Sequence, residues 1–168
     1  MNDAPANAVS GAGAAAEQTT RSPFAVGVPS IDALHVECEA MLLRLSNAIE
    51  TGTGIDTALA ALQEHLGRHF SHEEALMAQT SFPPAGCHER EHAMVLEVVA
   101  EVCRRHGAGD RAPAERLAAA VTEWFELHAA GMDAALAAWL NARRDEPVSA
   151  DATLGSPAGR SVAAQDRC

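Results

Sequence analysis

The pattern that most constrains this chain is a repeated one. Four stretches, 30–50, 56–79, 85–106 and 113–143, carry apolar side chains at heptad-like spacing, and short breaker runs separate them. The first seam is Ile31, His35, Cys38, Leu42, Leu45 and Ile49. The second is Leu59, Leu62, Leu66, His69, Glu73 and Leu76. His88, His92, Val95, Val99, Val102 and His106 form the third, and Leu117, Val121, Trp124 and His128 the fourth. That period belongs to helices that each hide one stripe from water. Ser30 and Asp56 stand where N-caps are expected, and Pro113 suits a first helical turn. The runs Thr51-Gly52-Thr53-Gly54 and Ser81-Phe82-Pro83-Pro84, and the pair Gly107 and Gly109, end the first three segments. Long amphipathic helices on short connections pack antiparallel, so the expected fold is all-α, an up-down-up-down antiparallel four-helix bundle.

The flanks lack this period. Residues 1–22 and 145–168 are rich in Ala, Gly, Ser and other small or polar residues and read as disordered tails around an ordered domain at 23–144. A formal charge of -11 argues against a nucleic-acid partner, because phosphate recognition needs a basic face. No apolar run is long enough for a membrane span, and the first twenty residues carry no secretory pattern. A cytoplasmic location is therefore expected. Cys38, Cys87, Cys103 and Cys168 form no CxxC pair and are expected to be free thiols.

Polar residues interrupt all four seams at one depth. With a rise of about 1.5 Å per residue, His35 lies roughly 8 Å from the start of the first helix. His69 and Glu73 lie roughly 9–15 Å from the end of the second, and His88 and His92 roughly 5–10 Å from the start of the third. His128 and Asp133 lie roughly 15–22 Å from the end of the fourth. In an up-down-up-down bundle these ends coincide, so seven metal-ligating side chains meet in one core layer. Unpartnered, such a layer costs several kcal/mol or more. A metal centre removes that cost. Five imidazoles and two carboxylates exceed one tetrahedral zinc and suit two first-row ions sharing carboxylates.

The motifs that carry these residues resemble the hemerythrin family. Phe24–His35 looks like the family's entry into its first helix, and His69-Phe-Ser-His-Glu73-Glu-Ala-Leu-Met77 matches HFxxEExxM. His88-Glu-Arg-Glu-His92 matches HxxxH, and Trp124-Phe-Glu-Leu-His128-Ala-Ala-Gly-Met-Asp133 matches WxxxHxxxxD. The resemblance implies two iron ions joined by Glu73, Asp133 and a solvent-derived oxo or hydroxo bridge. It assigns His88, His92 and His128 to one iron, and His35 and His69 to the other, which keeps an open position. It implies a monomer that binds dioxygen reversibly for storage, delivery or buffering, not an enzyme. Only the resemblance selects Asp133. Five residues past His128 is about 140° around an ideal helix, so the ordinary seam residue is Met132, unless the turn near Gly131 is widened. Leu34, Phe70, Trp124 and Ala129 are the expected pocket residues. The family commonly has Gln at the first of these positions and a branched aliphatic residue at the last. Ala129 therefore implies a more open pocket and faster autoxidation.

Other readings compete. An oxygen- or redox-sensing module needs the same centre, as does a di-iron peroxidase or a scavenger of reactive species. His88–His92 is also a literal HExxH, in which Glu89 is the general base of a zinc protease. That reading leaves His35, His69, Glu73, His128 and Asp133 unexplained. A single ExxH at 89–92 falls short of a ferritin-like carboxylate set. His65 and His72 sit beside the seam. His106 sits on it near the far end of the third helix, where an imidazole favours the helix dipole.

Overall fold

The computed structural model describes residues 22–144, and the two expected tails, Ser22 excepted, lie outside the described residues. Helices α1 (Pro29–Thr51), α2 (Ile55–Thr80), α3 (Ala85–Gly107) and α4 (Ala112–His128) follow in order. A π-helical turn, Ala129–Asp133, then leads into α5 (Ala134–Arg144), which continues the fourth rod. Each helix packs on its sequence neighbour, and α4 closes the ring against α1. The architecture is the expected helical bundle.

The helix starts differ from expectation for local reasons. Val28, not Ser30, precedes α1, and Pro29 occupies the first turn. The orphan N–H groups of Val26 and Gly27 are taken by the Asp32 carboxylate, at 2.6 and 3.1 Å. Ser30 instead meets His72 Nε2 at 3.0 Å. Gly54, in the left-handed region at φ 72°, enters α2, so Asp56 falls inside the first turn. There its charge favours the helix dipole.

The seams are buried with small shifts. Ala48 and Met77 are buried where Ile49 and Leu76 are only partly so, and Phe125 is buried where Trp124 is half-covered. Two apolar clusters result. One, from Cys38 through Leu66 and Val99 to Phe125, fills most of the bundle. The other, with Ile31, Met77, Phe82 and Leu136, closes the end where α2 meets α3. Each fully buried aliphatic side chain contributes roughly 1.5–3 kcal/mol. Between the two clusters, along every rod, lies a layer of eight buried polar residues. Cys38 and Cys103 are free thiols, as expected. Cys87 is disulfide-bonded, which overturns the free-thiol expectation there, and Cys168 lies outside the described residues.

Candidate metal centre

The structure brings all seven expected residues together. His35, His69, Glu73, His88, His92, His128 and Asp133 are each at most 4% exposed. On α2, His69 and Glu73 are one ordinary turn apart, with His69 Nε2 at 3.0 Å from Glu73 Oε1. Glu73 reaches across the layer to His35 at 3.8 Å, His88 at 3.5 Å and His92 at 3.3 Å.

The fourth rod achieves the same convergence by a different period. Across the π turn the Ala134 N–H donates to the Ala129 carbonyl, five residues back. The wider turn absorbs one residue, so position 133 comes round to the face that 132 holds in a regular helix. Asp133 is consequently buried, with Oδ1 at 3.2 Å from His128 and 3.0 Å from His88, and Oδ2 at 3.2 Å from His35. Met132 is left partly exposed.

The donors split unevenly. Glu73, His88, His92, His128 and Asp133 form one compact group, and His35, His69 and Glu73 form another. Glu73 belongs to both. Within the larger group three imidazole nitrogens crowd together: His128 Nε2 lies 2.9 Å from His88 Nε2 and 3.1 Å from His92 Nε2. His35 Nε2, Glu73 Oε2 and both Asp133 oxygens are buried, yet none meets a neighbour in hydrogen-bond geometry. Lone pairs aimed inward without donors are what a cation satisfies, so this donor set fits a metal centre.

Two of the outer nitrogens are held in their turn. His35 Nδ1–H donates to the Phe24 carbonyl at 2.7 Å, and His92 Nδ1 meets Glu74 Oε1 at 3.3 Å. Such partners fix the tautomer and aim Nε2 inward. Phe70 stacks on His92 (centroids 4.0 Å apart, interplanar 3°), and Trp124 stacks on His128 at 4.3 Å. The Trp124 indole N–H donates to Glu91 at 3.0 Å. Both expected pocket aromatics thus brace the five-donor group. On the three-donor side the aromatic wall is Phe125, edge-on to His35 at 5.0 Å. Leu34 is partly buried on α1. Ala129 is buried and lines a cavity of about 380 Å³ with Phe24, Glu126 and Ala130.

In the metal-free chain the charges are strongly redistributed. Burial pulls His35 and His88 down, but Asp133 and Glu73 outweigh it and hold them up at about 10 and about 9. Burial pushes both carboxyls up, but the surrounding histidines hold them well below the usual carboxylate range. Burial, with His88 and His92 nearby, pushes His128 down. Cys38, one turn beyond His35, is raised by burial to about 12 and stays a thiol.

Three residues of this shell were not anticipated. Glu74 carries no signal of its own beyond the HFxxEExxM motif, although its place one residue after Glu73 turns it toward α3. Phe125 lies one residue off the chosen seam. His65, set aside as flanking, is 1% exposed and one turn before His69 on α2. His72 and His106 stay out of the layer, and His106 Nε2 lies 3.3 Å from Asp56 at the far end.

A bundle whose core carries a histidine–carboxylate cage is a cation-binding domain. Residues 26–140 match the family described as the Hemerythrin HHE cation binding domain. The chain belongs to the hemerythrin family. It is 38% identical over 120 residues to "Bacteriohemerythrin" of Ralstonia nicotianae (strain ATCC BAA-1114 / GMI1000), covering 70% of this chain and 85% of that one. It is 26% identical over 114 residues to "Bacteriohemerythrin" of Stenotrophomonas maltophilia (strain R551-3), covering 67% and 74%. No solved structure matches. Among the described residues no helix is long and apolar enough to cross a membrane.

Proposed function

We propose that this chain binds dioxygen reversibly at a pair of iron ions and acts as a monomeric cytoplasmic oxygen store, carrier or buffer. The observation that carries the reading is the uneven split of donors around a shared Glu73. His88, His92 and His128 would hold one iron, His35 and His69 the other, with Glu73 and Asp133 spanning both. When bound, the iron pair supplies two electrons and an open position at which dioxygen is taken up and released.

The chain's own residues account for the rest. Glu73 and Asp133 would bring two negative charges to the cations and so lower the net charge of the cage. Phe125 and Phe24 form the aromatic wall on the His35 side. The cavity at Ala129 lies on that same side, since Phe24 both lines it and holds His35. Phe70 and Trp124 keep the three-histidine side rigid. The names of the two relatives support the same reading.

The test is anaerobic loading with ferrous iron followed by oxygen. The expected result is a visible band that forms with oxygen and disappears on its removal over repeated cycles. One-way oxidation with turnover of added peroxide refutes reversible binding and supports the peroxidase or scavenger alternative. Ala129→Ile narrows the cavity, and it is expected to slow oxidation to the ferric form severalfold, by lowering access.

A further inference from the structure

His69 differs from the other ligand on its side of the cage. His35 has a partner for its outer nitrogen, whereas His69 Nδ1 is buried with none, and so is His65 Nε2. A nitrogen of each ring and Cys38 Sγ lie within 4.8 Å of one another, with the ring centroids 5.6 Å apart. On its outer side, His65 Nδ1 lies 3.4 Å from Glu37 Oε2, and that carboxylate is half exposed. His65, His69 and Glu73 are successive one-turn steps along a single face of α2.

We propose that His65 is a positioning residue for the centre, the middle of a hydrogen-bonded chain from Glu37 on the surface to His69 in the core. The inference rests on the reading of the site as a metal centre. A metal on His69 Nε2 forces the remaining ring proton onto Nδ1, which becomes a donor in a nearly dry core. The acceptor this corner offers is the unpartnered His65 Nε2, the two rings presenting nitrogens within 4.8 Å that a small closure brings to hydrogen-bond distance, with a thiol beside them. For Nε2 to be bare, His65 must carry its proton on Nδ1, where Glu37 accepts it. His69 Nδ1 and His65 Nε2, both buried without partners, then satisfy each other, and both ring protons of the chain point outward. Such a carboxylate–histidine support fixes the ligand ring and raises its basicity. Arg68 Nη2, 3.5 Å from His65 Nδ1 and 3.3 Å from Glu37, favours the opposite tautomer by donating to Nδ1. The Leu34 carbonyl, also near His65, can only accept a ring proton and so competes for it. The opposite tautomer sets two N–H groups against each other once His69 is metallated. Cys38 fills the same corner without joining the chain.

The experiment is iron release from the loaded protein to a chelator. His65→Leu is expected to release one of two irons about 10–100-fold faster, and Glu37→Gln less, about threefold. His65→Gln, whose amide accepts from His69 and donates toward Glu37, is expected to stay within about threefold of wild type. Cys38→Ala should not change the rate. Metal-free His65→Leu should melt no lower than wild type, because a buried polar ring gives way to an apolar one. Nitrogen-15 spectra of the loaded protein should show the His65 proton on Nδ1. Wild-type release from His65→Leu overturns the proposal, as does a proton on Nε2 or a His65→Gln as leaky as the leucine variant. A wild type that holds no iron overturns the metal-centre reading itself, and is seen before any variant is compared.

Discussion

Two helical segments deliver a histidine and a carboxylate to one buried layer, and they do so with different periods. On α2, His69 and Glu73 are four residues apart in an unbroken helix. On the fourth rod, His128 and Asp133 are five apart across a π turn. Both carboxylates end fully buried among histidines, Glu73 facing four of them and Asp133 three. The lesson is that a ligand face is a property of space, not of sequence spacing. A helix can spend an extra residue where a side chain is needed and lose only local hydrogen-bond regularity.

The largest test of the comparison removes the better connected carboxylate. Glu73→Ala is expected to abolish paired metal binding, which elemental analysis reads directly. It should also lower metal-free stability by about 3 kcal/mol, because the buried histidines lose their shared partner. Asp133→Ala should leave one metal per chain at reduced affinity.

Protons give the next effect. With His35 and His88 held above their ordinary value, their contribution to metal-free stability is complete below pH 6.5 and is lost as pH rises through about 9 and 10. Glu73 and Asp133 are held low, so their contribution is present above about pH 4 and fades as pH falls. Metal-free stability should therefore peak in mildly acidic solution. Because ligand nitrogens must be bare, metal uptake at pH 7 should release about two protons, and affinity should rise with pH. Calorimetry in buffers of different ionisation enthalpy measures both. Asp133→Asn should cut the release more than the equal sharing of the two acids would suggest, since Asp133 does most to hold both histidines up.

The π turn itself can be edited. Deleting exposed Ala130 leaves His128 and Asp133 four apart, matching α2, and returns Leu136 and Ala137 to their present faces. The variant is expected to fold and to bind two metals, with affinity weakened by no more than about tenfold. Loss of the pair would show that the widened turn itself is required. The smallest effect is at Gly131, whose added Cβ would meet no atom within 4 Å and whose φ is not positive. Gly131→Ala should raise stability by up to about 1 kcal/mol in thermal melts and leave the metal count unchanged.

These elements also show how far the sequence could be read. The bundle was legible because heptad spacing and breaker runs are local signals. His69 with Glu73 and His88 with His92 were legible because a regular helix converts spacing into a face. Asp133 was not, since a π turn has no sequence mark beyond a nearby glycine, and only family resemblance selected it. Phe125 and His65 were displaced by small rotations of α4 and α2 that heptad templates do not resolve. The Phe24 carbonyl behind His35 is a backbone atom, invisible to any reading of side chains.

Everything proposed for this chain requires a dinuclear cluster inside this cage. Iron analysis with Mössbauer spectroscopy of the loaded, air-exposed protein tests that most directly. Two irons per chain, magnetically coupled through a shared bridge, is the predicted result. One iron per chain, or two that behave independently, would contradict it.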